Sequence, residues 1–245
     1  MTAPSGSKTS AFSVQRSALN VKRCSVPGTE PFRLIVISPE AEDAREQTVL
    51  ARLLDAGLAG YHLRKPDWTR ARLAAWLRSL PATFHPRIVL HTHHDLAAEF
   101  ALGGIHERTG AMPKSNPIGY SLRSRAVHDL DALRASLDGY DRLLVSPLFP
   151  SFSKPGYGPS SPWSEPDLRG ILARPRRAEV IALGGIDASR IPACRTLGFD
   201  GVAVLGAVWQ AADPVAAFQE ISRAAAGGAR PGAATPSRLV AQAAT

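Results

Sequence analysis

Short apolar runs alternate with segments of helical period from Arg33 to Ala225. The runs Arg33–Ser38, Gly60–Arg64, Arg87–His91, Gly104–Glu107, Ile118–Leu122, Arg142–Pro147, Val180–Leu183 and Gly201–Leu205 read as strands. Apolar on most positions and too short to be helices, they suit a parallel sheet covered on both faces. Between them, helices are predicted over Ala41–Ala56, Thr69–Ser79, His94–Ala101, Val127–Leu137, Asp167–Ala173, Ala188–Leu197 and Pro214–Ala225. Gly57 and Gly198 follow two of these helices, where a left-handed residue closes the last turn. Asp67 or Thr69 can cap the second, while Asp213 and Pro214 take the N-cap and N1 places of the last. Pro113 and Pro117 interrupt the segment between the fourth and fifth runs, so no full helix is expected there. Strict alternation favours a closed barrel over an open sheet, whose phosphate glycines would follow the first strand. Here paired glycines follow the last two. The expected fold is α/β, a (β/α)8 TIM barrel over residues 31–225, with disordered tails at 1–30 and 226–245.

Composition agrees with that picture. At 245 residues and 44% hydrophobic, the chain has room for one barrel and a sizeable core. No apolar run is long enough to span a bilayer, so no membrane partner is expected. The net charge of +8 raises the question of nucleic acid, but the cations are scattered and do not interleave with aromatics. Attraction for small anions fits better. Cys24 and Cys194 have no metal-ligand spacing and fall in a tail and a helix, which fits a reducing, cytoplasmic setting without a disulfide. Residues 1–29 carry Lys8, Arg16, Lys22 and Arg23 and no acid, a composition shared by transit peptides and by disordered extensions.

Chemistry is expected at the C-terminal ends of the strands. Gly184, Gly185 and Gly206 lack Cβ atoms where backbone N–H groups can approach a phosphate; the bland alternative is two tight turns. Arg64 offers a guanidinium fork to an anion, beside His62 and Lys65. Ser151, Ser153 and Lys154 lie in a loop restrained by proline and glycine that suits a phosphate or pyrophosphate. His62, His91 and His106 fall on adjacent strands. A zinc hydrolase would use such a cluster, but it would also want a carboxylate after the last strand, where Gly206-Ala207 stands. No metal is therefore expected. His91 and His106 are candidates for proton transfer, because an unperturbed imidazole titrates near working pH. Arg123, on this reading at the end of the fifth strand, stays protonated and offers charge to a carboxylate rather than a proton.

The segments GYHLRKP, LHTHHDLA…GGIHE, SPLFPSFSKPGYG, ALGGI and GFDGVAVLGAVW, in that order, resemble the thiamine-phosphate synthase/TenI family over Arg33–Ile221. The resemblance implies a barrel that binds a phosphorylated thiazole, with a homodimer as one assembly. Synthases of the family join that thiazole to a pyrimidine methyl pyrophosphate with Mg²⁺. TenI-type members isomerise the thiazole carboxylate phosphate without a metal. The phosphate glycines correspond to Gly184, Gly185 and Gly206, and the pyrophosphate loop to Ser151, Ser153 and Lys154. In the Q-x-R-x-K region Arg64 matches, His62 replaces glutamine, and Lys65 comes one place early. The synthases' metal aspartates fall at Thr92 and near Ala111, so both are missing. Mg²⁺ is expected only in a working synthase, and the TenI-like reaction is preferred, with a silent thiazole-phosphate binder and the histidine-cluster hydrolase as further alternatives. The S-x-H that ends the TenI fifth strand reads Ser121-Leu122-Arg123, which leaves His106 or His91 to carry the proton.

Overall fold

Eight parallel strands hydrogen-bond in chain order and close on themselves, so that β1 (Arg33–Ile37) pairs with both β2 (Gly60–Leu63) and β8 (Gly201–Val204). The others are β3 (Ile88–Leu90), β4 (Gly104–Glu107), β5 (Arg123–Val127), β6 (Arg142–Val145) and β7 (Glu179–Leu183). The computed structural model describes residues 31–108, 120–150 and 163–227. Helices α1 (Glu46–Asp55), α2 (Arg70–Arg78), α3 (Asp95–Glu99), α4 (Leu130–Ser136), α5 (Glu165–Leu172), α6 (Ile191–Leu197), α7 (Gly206–Trp209) and α8 (Pro214–Ala226) follow the strands, giving the (β/α)8 barrel that the alternation implies. None of them is long and apolar enough to cross a membrane.

The caps act as the sequence suggests. Thr69 accepts from the Arg72 amide, and Asp213 from Val215 and Ala216. Gly57 and Gly198 take φ of +93° and +98° at the ends of α1 and α6. Helix α1 starts later than predicted. Residues 41–45 turn instead, with Asp43 accepting from the Arg45 amide and the Ala41 carbonyl taken by Lys65 Nζ.

The fifth strand is the main correction. It runs over Arg123–Val127: residues 120–122 of the predicted run carry no strand, 118 and 119 lie outside the described residues, and α4 begins after β5, capped by Asp129. The sequence RSRAV has little apolar content, so its strand propensity is weak. Tertiary partners compensate for that. Arg123 forms a buried ion pair with Glu107 of β4 at 3.0 Å, and Tyr140 donates to the same carboxylate at 3.0 Å.

Two apolar layers follow from the period-2 alternation of the strands. Outward residues such as Val36, Leu63, Leu90 and Val145 pack against the helices, including Leu50 and Leu53 of α1, both fully buried. Burying each such leucine contributes roughly 1.5–3 kcal/mol. Inside the barrel, Ile35, Ile37, Leu144, Ile181 and Ala203 fill the side formed by β1, β6, β7 and β8. Across from them, β2 to β5 contribute His62, His106 and Ser124, all buried. At the N-terminal end, Glu179 pairs with both Arg33 and Arg142 and closes the interior. Burial alone would raise the Glu179 carboxyl, but the two guanidinium groups hold it below the usual range.

Candidate active site

A cavity of about 510 Å³ opens at the C-terminal ends of the strands, where barrels of this type carry their sites. Its wall is apolar on one side, with Ile37, Leu183 and Leu205, and polar on the other, with Arg64, His91, His106 and His128. Gly184, Gly185 and Gly206 also line it.

The glycine turn after β7 requires its residue type. Gly184 and Gly185 have φ of +100° and +59°. A Cβ at Gly184 would come within 2.8 Å of Pro147 Cα, and one at Gly185 would strike the Pro150 carbonyl and the Arg190 side chain. A side chain is thus excluded by conformation and by space. Gly206 opens the single turn of α7 on the adjacent strand.

Arg64 reaches the cavity from the end of β2 and pairs with Glu40. Its neighbour Lys65 does not line the cavity. The Lys65 side chain is fully buried on the helix side, and its ammonium donates to the Pro39 and Ala41 carbonyls and to Glu46. The alternation that points Arg64 inward necessarily turns Lys65 away. Arg123 is likewise outside. It begins β5 and faces Glu107 and Tyr140, far from the strand end at which the sequence placed it. Ser151, Ser153 and Lys154 lie outside the described residues.

Correcting β5 brings in a residue that the sequence reading missed. His128 follows the strand, so Ala126-Val127-His128, and not Ser121-Leu122-Arg123, occupies the S-x-H place. His128 lines the cavity, and its Nδ1 lies 2.5 Å from the Ser146 carbonyl oxygen. A carbonyl can only accept, so Nδ1 carries a proton, and in the neutral ring the lone pair is then on Nε2. The signal was present as a histidine just before Asp129, the N-cap of α4, but it was masked by extending that helix back over Val127.

His62, His91 and His106 converge below the cavity. His62 Nδ1 lies 3.1 Å from His91 Nε2, and the rings of His91 and His106 stack at 4.1 Å. His62 is buried beneath the other two and does not reach the cavity wall. Burial pushes the His106 imidazole down to about 3, helped by the charges of His94, Arg64 and Arg142. His62 and His91 are also held well below the ordinary value, mainly by burial and next by His106.

The synthases' Mg²⁺ calls for oxygen ligands, and the donors here do not fit it. Thr92 stands at the first aspartate position, and position 111 lies outside the described residues. Among the described residues, the carboxylates on the cavity wall are Glu40, paired with Arg64, and Glu107, bonded to Arg123 and Tyr140.

Fold, glycine turns and polar strand ends together define a (β/α)8 barrel with its cavity at the C-terminal ends of the strands. The thiamine monophosphate synthase family profile matches residues 34–208, and the chain belongs to this thiamine-phosphate synthase/TenI family. A thiamine-phosphate synthase of Methanocella arvoryzae is 31% identical over 138 residues, covering 54% of this chain and 64% of that one. The one from Methanoculleus marisnigri is 28% identical over 201 residues, covering 78% and 93%. The crystal structure of thiamine phosphate pyrophosphorylase from Bacteroides thetaiotaomicron superposes with a TM-score of 0.64 at 26% identity, covering 79% of this chain and 98% of that one.

Proposed function

We propose that the chain is a thiamine-biosynthetic enzyme that holds a phosphorylated thiazole in this cavity and moves a proton on it, as TenI-type tautomerases do. The observation that carries this reading is His128, on the cavity wall with its Nδ1 proton held by the Ser146 carbonyl. Its Nε2 lone pair is ready to take a proton from one ring position and return it at another. His106, pushed down to about 3, is too weak a base for that task near neutrality, and His91 is depressed in the same direction. The phosphate is assigned to the backbone at Gly184, Gly185 and Gly206. Arg64, exchanging Glu40 for the ligand, takes the carboxylate. Ser151, Ser153 and Lys154 keep the anion-closing role that their loop composition suggests.

A second reading is the transferase, favoured by the relatives, which are thiamine-phosphate synthases. It needs hard-cation ligands other than those at the family positions. One experiment separates the two. The chain is supplied with thiazole phosphate and the pyrimidine pyrophosphate, with Mg²⁺ or with EDTA, and thiamine phosphate is read as thiochrome fluorescence. In parallel, thiazole carboxylate phosphate is followed by NMR for tautomer exchange. Exchange that survives EDTA supports the first reading, and Mg²⁺-dependent thiochrome without exchange replaces it with the second.

A further inference from the structure

We propose that His62, His91 and His106 form a three-imidazole site for one divalent transition ion of the zinc class, with its open position facing the cavity. This goes beyond the proton-transfer reading, which uses none of the three.

The three rings come from adjacent strands β2, β3 and β4, or just beyond the strand in the case of His91. One nitrogen from each lies within 4.8 Å of the others. Tetrahedral ligation with metal–nitrogen bonds of about 2.0–2.1 Å places ligand nitrogens about 3.4 Å apart. The His62 Nδ1 to His91 Nε2 separation of 3.1 Å is already near that value. The other separations, within 4.8 Å, close to that value with a shift of at most about 1.4 Å.

The protonation states suit a metal. Ser124 Oγ donates to the Ile105 carbonyl at 3.0 Å, so it accepts from His106 Nδ1, also at 3.0 Å. That bond fixes the His106 tautomer and leaves Nε2 as the lone-pair nitrogen. A ligating histidine is commonly held in this way by a partner on its other nitrogen. His62 adds an independent sign: its ring is fully buried, yet Nε2 has no hydrogen-bond partner. Leaving a buried polar nitrogen unpaired is costly; the 3.1 Å separation offers Nδ1 to the ion, whereas a half turn of the ring brings Nε2 to that side instead and gives it the partner it lacks.

The donor set also selects the ion. Three neutral imidazoles suit zinc or cobalt(II) and suit magnesium poorly. The nearby cations are already partnered, Arg64 with Glu40 and Arg142 with Glu179. His91 and His106 border the cavity whereas His62 lies under it, so the unfilled coordination position points toward a water or an oxygen donor of a bound molecule.

The test uses the full chain, free of any affinity tag and stripped with EDTA. It is titrated with Co²⁺, read by visible d–d absorption, and then with Zn²⁺ in competition. One equivalent of tight binding with the bands of a four- or five-coordinate site is expected. His91→Asn and His106→Gln should abolish it, and Ser124→Ala should weaken it about 10–100-fold. His128→Asn should leave it unchanged, since that residue belongs to the proton-transfer reading alone. Absence of stoichiometric binding, or binding indifferent to His91→Asn and His106→Gln, overturns the site. Should those variants misfold by circular dichroism, X-ray absorption of the zinc-loaded parent chain decides: three imidazoles at about 2.0–2.1 Å uphold it and fewer overturn it. Thiazole phosphate binding is measured separately by calorimetry, so failure of either proposal leaves the other standing.

Discussion

Lys65 Nζ lies 2.6 Å from Glu46 Oε2, and neither side chain reaches solvent. Tyr61 donates to the other oxygen of the same carboxylate at 2.8 Å, which ties β2, α1 and the loop before it into one buried network. Removing one partner of a buried pair leaves an uncompensated charge and costs about 3–5 kcal/mol. Lys65→Met is therefore expected to lower the unfolding free energy by that much, read as a fall in the urea midpoint, while leaving the affinity for thiazole phosphate within a few-fold of the parent. A large loss of ligand affinity in a variant still folded under the assay conditions would return Lys65 to the binding site.

His128 is expected to behave differently. His128→Asn retains a group that can donate to the Ser146 carbonyl but has no basic nitrogen for the substrate. Loss of a positioned general base lowers turnover by about 10²–10⁴-fold. The tautomer exchange rate should fall within that range with little change in ligand Kd. An unchanged rate would remove His128 from the reaction.

Much of this molecule was legible in the chain because its signals were local. The apolar runs of β1, β7 and β8, the caps at Thr69 and Asp213, and the left-handed Gly57 and Gly198 each follow from a few neighbouring residues. The fifth strand was not legible, because what makes Arg123–Val127 a strand is distant in sequence. Glu107 and Tyr140 neutralise and cover an arginine that local propensity would place in a loop. That single register error concealed His128 and made Arg123 look like a site residue. Lys65 misleads for a related reason: in sequence a cation next to Arg64 reads as its companion, although alternation sends neighbours to opposite faces.

Glycine substitutions separate ligand binding from backbone strain. Gly57 and Gly185 both have positive φ, yet a Cβ at Gly57 meets nothing within 4 Å while one at Gly185 collides with its neighbours. A left-handed alanine costs roughly 1–2 kcal/mol. Gly57→Ala should cost that in stability and nothing in affinity. Gly185→Ala should also displace the turn after β7, and calorimetry should show phosphorylated ligand bound at least about tenfold more weakly, equivalent to about 1.4 kcal/mol. Equal ligand affinity in the two variants would place the phosphate elsewhere.

The histidine cluster should also set the acid limit of the metal-free fold. His62, His91 and His106 are depressed in the folded chain, whereas the unfolded chain takes up their protons near pH 6.5. Below that pH the unfolded state binds more protons, so stability is fullest above pH 6.5 and declines as pH falls through the window between the two values. For His106 the window extends down to about 3. Each histidine contributes a slope of about 1.4 kcal/mol per pH unit while its window is open. Urea midpoints of the EDTA-treated chain should therefore drop steeply from pH 6.5 toward pH 5. His106→Gln should flatten the profile by about one histidine's slope, because glutamine has no proton to gain. A profile that stays level down to the carboxylate range would mean that these imidazoles are already protonated in the folded chain, which their burial beside Arg142 opposes.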